Sequence, residues 1–93
     1  MPNIRGKSLK AVIRDIADGY VVVNPLFLKS FDGETLRDFY GEISRVQNEV
    51  RAEKFPHNDI MAIRSRNLKL QRLFGATMII RNFAKERRIQ LTG

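Results

Sequence analysis

Between Ser8 and Gly19 the apolar residues Leu9, Val12, Ile13, Ile16 and Ala17 recur at the i, i+3, i+4, i+7, i+8 spacing that puts them on one face of a helix. Ser8 suits the N-cap, because its hydroxyl can accept from a free backbone N–H, and Gly19 suits a left-handed stop. A β-hairpin competes for the same stretch, with residues 11–16 and 20–24 flanking an Ala17-Asp18-Gly19 turn, but the helical spacing is the better match. Tyr20, Val21, Val22 and Val23 then have the composition of a short buried strand. A lone strand leaves its backbone unsatisfied, so residues 88–92 are the expected partner.

Asn24-Pro25 offers a cap followed by proline at the first helical position, and residues 26–31 are expected to make one or two turns closed by Asp32-Gly33. Residues 34–54 carry the clearest pattern: Leu36, Phe39, Tyr40, Ile43, Val46 and Val50 form a narrow stripe, with Asp38, Glu42, Arg45, Glu49 and Glu53 opposite. This predicts an amphipathic helix about 30 Å long. Phe55-Pro56 ends it, since the residue before proline is biased away from helical angles. After His57, Asn58 or Asp59 caps a second long helix running to about residue 87. So short a link makes the two long helices antiparallel neighbours.

Within the second long helix the apolar face changes side. Ile60, Ile63, Leu70, Leu73 and Phe74 share one face, whereas Ala76, Ile79, Ile80 and Phe83 centre more than about 100° around the axis. Ordinary drift, about 20° per heptad, is too small to produce this. A bend at Gly75, or a second half sandwiched between two neighbours, is expected instead, with Gly41 in the partner helix marking close backbone approach at a similar level. The predicted fold class is mainly α: a long antiparallel helical hairpin, an N-terminal helix and a short β-strand pair.

Composition narrows this picture in a few ways. Ninety-three residues, 43% of them apolar, suffice for one core and one domain spanning 1–93, with residues 1–7 and 92–93 expected to fray. Cysteine is absent, which removes disulfides and thiolate metal sites, and a reducing cytoplasm is the expected compartment. The basic start leads into Lys10, Arg14 and Asp15 rather than an apolar run, so no secretory leader is expected. The longest apolar runs fall far short of the roughly 20 residues that cross a bilayer, so a soluble chain without a membrane partner is expected.

Charge changes the picture most. The formal net charge is +7. Residues 1–59 balance nine Lys or Arg against nine Asp or Glu, whereas residues 60–93 carry eight basic side chains and the single Glu86. Those eight, Arg64, Arg66, Lys69, Arg72, Arg81, Lys85, Arg87 and Arg88, are the candidate site. A concentrated positive field attracts polyanions, and arginine, six of the eight, grips phosphate with a bidentate fork and stacks on bases. Arg64, Lys69 and Arg72 project away from the first apolar stripe, and Arg81, Lys85 and Arg88 line up opposite the second. The competing account is plain solvation of the helix, with part of the set paired to the acidic flank of residues 34–53.

Other chemistry is thinly supplied. His57 is the only histidine and reads as a solvated turn residue, Asp38 and Glu42 at i, i+4 read as a solvated face rather than metal ligands, and the six glycines build no phosphate-cradling loop. Neither cofactor nor metal is expected, and an enzyme, built on a basic pocket of Arg81, Lys85 and Tyr20, is the least supported class. Phe27, Phe31, Phe39, Tyr40, Phe55, Phe74 and Phe83 read as core, without the basic-aromatic interleaving of base-reading modules. The expectation is a non-catalytic protein that binds nucleic acid, RNA ahead of DNA, by phosphate contact. An acidic protein surface is the other partner the basic set could meet, and the alternative class is a helical interaction or adaptor module, self-association included, that uses the apolar surplus of Met78, Ile79 and Ile80, with Leu68 on another face.

Overall fold

The structure, a computed structural model, describes residues 3–4, 7–55 and 58–91. Among these residues four helices carry the fold: α1 (Leu9–Asp18), α2 (Pro25–Leu28), α3 (Gly33–Ala52) and α4 (Ile60–Glu86). Each starts on a side chain that accepts from a first-turn N–H, a donor with no partner inside the helix. Ser8 Oγ accepts from Ala11 at 3.2 Å, Asn24 Oδ1 from Phe27 at 2.8 Å, Asp32 Oδ1 from Thr35 at 2.7 Å and Asp59 Oδ1 from Ala62 at 2.9 Å. Asp32 therefore opens α3 instead of closing the turn before it. The backbone N–H of Thr35 holds the Asp32 carboxyl below the usual carboxylate range.

α1 and α4 end in the same way. Gly19, at φ 87°, donates to Ile16 O at 3.1 Å, and Tyr20 N–H reaches back to Asp15 O at 2.8 Å. At the end of α4, Arg88, at φ 57°, donates to Lys85 O at 3.2 Å, and Ile89 N–H reaches Ala84 O at 2.8 Å. Both are Schellman closures, but only the first has glycine at its left-handed position.

α1, α3 and α4 pack on one another, and their apolar stripes meet in one cluster in which Ile13, Leu36, Phe39, Ile43, Leu73 and Ile80 are fully buried. Each such side chain contributes roughly 1.5–3 kcal/mol. α2 plugs one end of this cluster with Leu28, and Phe27, Phe31 and Phe39 form a triangle of tilted rings with centroids 5.5, 6.2 and 5.2 Å apart. The molecule is mainly helical, but its core is a three-helix contact rather than a two-helix seam. Because α1 and α4 both lie on α3, the covered face of α3 is wider than its apolar stripe. Glu42, expected in solvent, is consequently only 9% exposed, and its Oε2 accepts from Arg45 Nη1 at 3.2 Å.

The bend expected at Gly75 does not occur; α4 is instead sandwiched between α3 and α1, with Ile63, Leu70 and Ile79 half-buried at its margins. Leu73, Ala76, Thr77, Ile80, Phe83 and Ala84 make one core stripe, which continues toward the N-terminus through the half-buried Lys69, Arg66 and Ala62. Ile60, Met61, Leu68 and Phe74 lie off it and are exposed. The reason is register: Tyr40 meets Arg81, and Val50 lines a cleft with Lys69, so the end of α3 at Ala52 is level with residues 67–69 of α4. The first two turns of α4 overhang that end. At 27 residues α4 is about 40 Å long, which accounts for the 45 Å long dimension of the molecule. Gly75 lies inside this uninterrupted helix, and a Cβ at Gly75 or Gly41 would meet nothing within 4 Å, so neither marks a close backbone approach.

Among the described residues the strand pair expected between residues 20–23 and 88–92 is absent. Residues 21–24 run without regular structure, tethered by Tyr20 and Val21 N–H groups to Asp15 O, while Val23 alone of the run turns fully into the core. Arg88 and Ile89 are occupied in closing α4. Among the described residues the β structure is β1 (Asn3–Ile4) and β2 (Lys7–Ser8), a two-residue antiparallel pair within the stretch expected to fray. The hairpin alternative for residues 11–24 is excluded by α1. Expectations for His57 and for residues 92–93 fall outside the described residues.

Candidate nucleic-acid interface

The eight basic residues divide into three groups. Arg66 and Lys69 stand on the core side of α4 and are half-buried: Arg66 lies over the Phe55 ring at 5.5 Å, with its Nε buried and without a hydrogen-bond partner, and Lys69 lines a cleft with Val46, Glu49, Val50 and Glu53. Arg72 leans across α1, where its Nη1 donates to Ala17 O at 3.0 Å. Arg64 is exposed near the overhanging end, about 26 Å along the axis from Arg81. Arg81, Lys85, Arg87 and Arg88 gather at the other end.

Among the described residues none of the eight lies within ion-pair distance of a carboxylate. Two carboxylates of the acidic face of α3 are engaged elsewhere. Glu49 takes Lys10 at 3.2 Å and Arg14 at 3.8 Å, both from α1, and Glu42 takes Arg45 from its own helix. The competing account of the basic set, pairing with α3 across the hairpin, is not realised among the described residues, although α3 and α4 pack directly; Glu49 takes its counter-charges from α1.

The C-terminal group is ordered by contacts other than charge. Arg81 Nε donates to Tyr40 Oη at 2.7 Å, and its guanidinium stands 5.7 Å from the Tyr40 ring centroid, so the two Nη groups at the tip stay open for an anion. Arg87 lies over Phe83 at 4.6 Å. Arg88 occupies the left-handed position that glycine would fill at lower cost. Such local cost at a charged residue tends to accompany function. Lys85 stands one turn beyond Arg81 on the same helix face, whereas Arg88 follows past the helix end in the left-handed turn, so the alignment of all three expected from i, i+4, i+7 spacing is not kept. Basic residues in a last turn also complement the helix dipole, which adds to their local stability.

Arg81 meets Tyr40 and not Tyr20, so the basic pocket of Arg81, Lys85 and Tyr20 is not assembled; Tyr20 is 82% exposed beside Val21, Val22 and Asn24. Among the described residues no group of three or more His, Asp or Glu comes together as a metal site, and no helix is long and apolar enough to cross a membrane. The aromatic expectations hold for Phe39 and Phe83, which are buried, and fail for Phe74, which is 58% exposed.

Of the apolar surplus expected on α4, Leu68 and Met78 are exposed, whereas Ile80 is fully buried and Ile79 packs half-buried against the core. Ile60, Met61, Leu68, Phe74 and Met78 are all exposed on α4, whereas among the described residues α1 and α3 expose no large hydrophobic side chain. The signal was present in the surplus of apolar positions for one seam, but assigning the surplus to a side required the register of α3. Comparison with protein families, curated proteins and solved structures yields no match to this chain.

Proposed function

We propose that this is a non-catalytic, cytoplasmic nucleic-acid-associated protein that engages phosphate through Arg81, Lys85, Arg87 and Arg88, RNA ahead of DNA. The observation that supports this most is a group of cations without carboxylate partners among the described residues, two of them held against aromatic side chains and one in a costly backbone conformation. Arg64 adds a distant contact, while Arg66, Lys69 and Arg72 serve the fold first. Engagement of about four phosphates corresponds to a slope of log affinity against log salt of roughly −2.8 to −3.6. Fluorescence anisotropy with a labelled RNA oligonucleotide tests it. Lys85→Gln/Arg87→Gln/Arg88→Gln should bind at least tenfold more weakly and with a shallower slope; a flat salt response in the parent chain, or unchanged binding in the variant, removes the idea.

A second reading, an interaction or adaptor module that includes the homodimer, is favoured by the exposed hydrophobic residues of α4. Sedimentation over a wide concentration range separates its two forms. A strict monomer leaves only a partner of another kind.

A further inference from the structure

On the side of α4 turned away from the Arg81–Lys85 face, Val21, Val22, Arg72, Gly75 and Ile79 border an open apolar groove of about 210 Å³. Sites for small-molecule ligands run to about 300–1,000 Å³, so this one is sized for side chains of a partner. Gly75 is its distinguishing residue. Glycine inside a helix costs about 1 kcal/mol relative to alanine, and the fold does not account for it, since a Cβ there would meet nothing within 4 Å. What the missing side chain preserves is the depth of the groove, as where a foreign group approaches a backbone closely.

The groove extends into a longer strip. Leu68 and Met61 lie one and two heptads before Gly75 on the same face, both exposed, so the strip from Met61 to Ile79 is about 27 Å long. Arg64 and Arg72 flank it, and α4 contains no carboxylate before Glu86. A second copy is a poor occupant: among the described residues its α1 and α3 expose no large hydrophobic side chain, its exposed Leu26 stands on a helix of 4 residues, too short to fill the strip, and its α4 would set cations against cations. Shape and charge together select a helix that is apolar along one side and acidic at its flanks.

We propose that this groove docks an acidic amphipathic helix of another protein, with an apolar side chain seated over Gly75. The inference rests on the reading of α4 as an interaction arm and specifies the chemistry of what it holds. Selection from a displayed library of randomised amphipathic helices against the full chain tests it. Recovered helices should carry Leu, Phe or Met anchors flanked by Asp and Glu, and should bind the parent at least tenfold more tightly than Gly75→Leu or Val22→Asp. They should ignore Lys85→Gln/Arg88→Gln. Gly75→Leu points into open space and Val22 is 73% exposed, so both variants keep the core intact, which circular dichroism verifies. Recovery of Lys- and Arg-rich helices, or of none above background, overturns the proposal. Helices that map to Ile60 and Phe74 overturn the groove while sparing the arm, and an RNA oligonucleotide that binds the parent but not Gly75→Leu overturns it by placing nucleic acid there.

Discussion

The guanidinium of Arg72 closes the end of α1: Nη1 donates to Ala17 O at 3.0 Å, and Cζ lies 3.0 Å from where a Cβ on Gly19 would be. The last carbonyls of a helix carry the negative end of its dipole and lack intrahelical donors, so a cation placed there satisfies both needs. The side chain therefore joins α4 to α1, residues 55 apart in sequence.

Arg72→Ala should lower stability by about 1 kcal/mol, the low end for a charged hydrogen bond because the side chain is exposed. Gly19→Ala should cost more, about 1–2 kcal/mol, since alanine at a left-handed position is strained whatever the space around it. The double variant should cost less than the sum, because the crowding of Cβ against Arg72 disappears. Urea titration of the four proteins gives the coupling, and strict additivity would mean that the two residues do not interact.

Gly41→Ala and Gly75→Ala should each raise stability by roughly 0.5–1 kcal/mol, since both sit in helix interiors with open space where Cβ would go. A fall in melting temperature for Gly75→Ala would show a bend or contact at that position. A rise shows that the fold tolerates a side chain there and leaves the groove as the reason for glycine.

Arg88→Gly should stabilise the chain by about 1 kcal/mol through relief of the left-handed conformation, and it should weaken RNA binding by removing a cation. Arg88→Gln keeps the strain and loses the charge. The two variants should therefore match in binding and differ in thermal stability; equal stability would show that position 88 stores no strain.

The Asp32 carboxyl, lowered by the Thr35 N–H, gives a stability contribution that is complete above the unfolded-state pKa of about 3.9 and is lost as pH falls through the lower folded-state value. Asp32→Asn can cap α3 without titrating. Chemical denaturation from about pH 6 down to pH 2 should show a shallower acid limb for this variant than for the parent, and identical limbs would exclude Asp32 from the acid response.

The helices could be read from short-range pattern because what makes them is short-range. Ser8, Asn24 and Asp59 cap helices where residue type and spacing placed caps, and the stripes of α1 and α3 are buried as their periods require. Asp32 was misplaced by one element because an Asp-Gly pair can close a turn or open a helix, and the local pattern is equally good for both. Tyr20–Val23 misled for a related reason. β-Branched residues suit a half-buried extended segment whether or not another strand lies beside it.

The candidate site was legible as a set and not as a surface. Counting charges located eight cations in the last third of the chain, yet Arg66, Lys69 and Arg72 turn toward the fold while Arg81, Lys85, Arg87 and Arg88 converge at one end.

Sequence alone determined the helical class, the caps of α1, α2 and α4, the stripes of α1 and α3 and the charge imbalance, because each depends on residues within a turn or two of one another or on composition. Tertiary structure decided that Glu49 pairs with α1 and, among the described residues, leaves the cations of α4 without carboxylate partners, and that the overhang of α4 puts Ile60 and Met61 in solvent. These depend on the register in which three helices share one core. That register is set by the fit of side chains far apart in the chain, which no local period encodes.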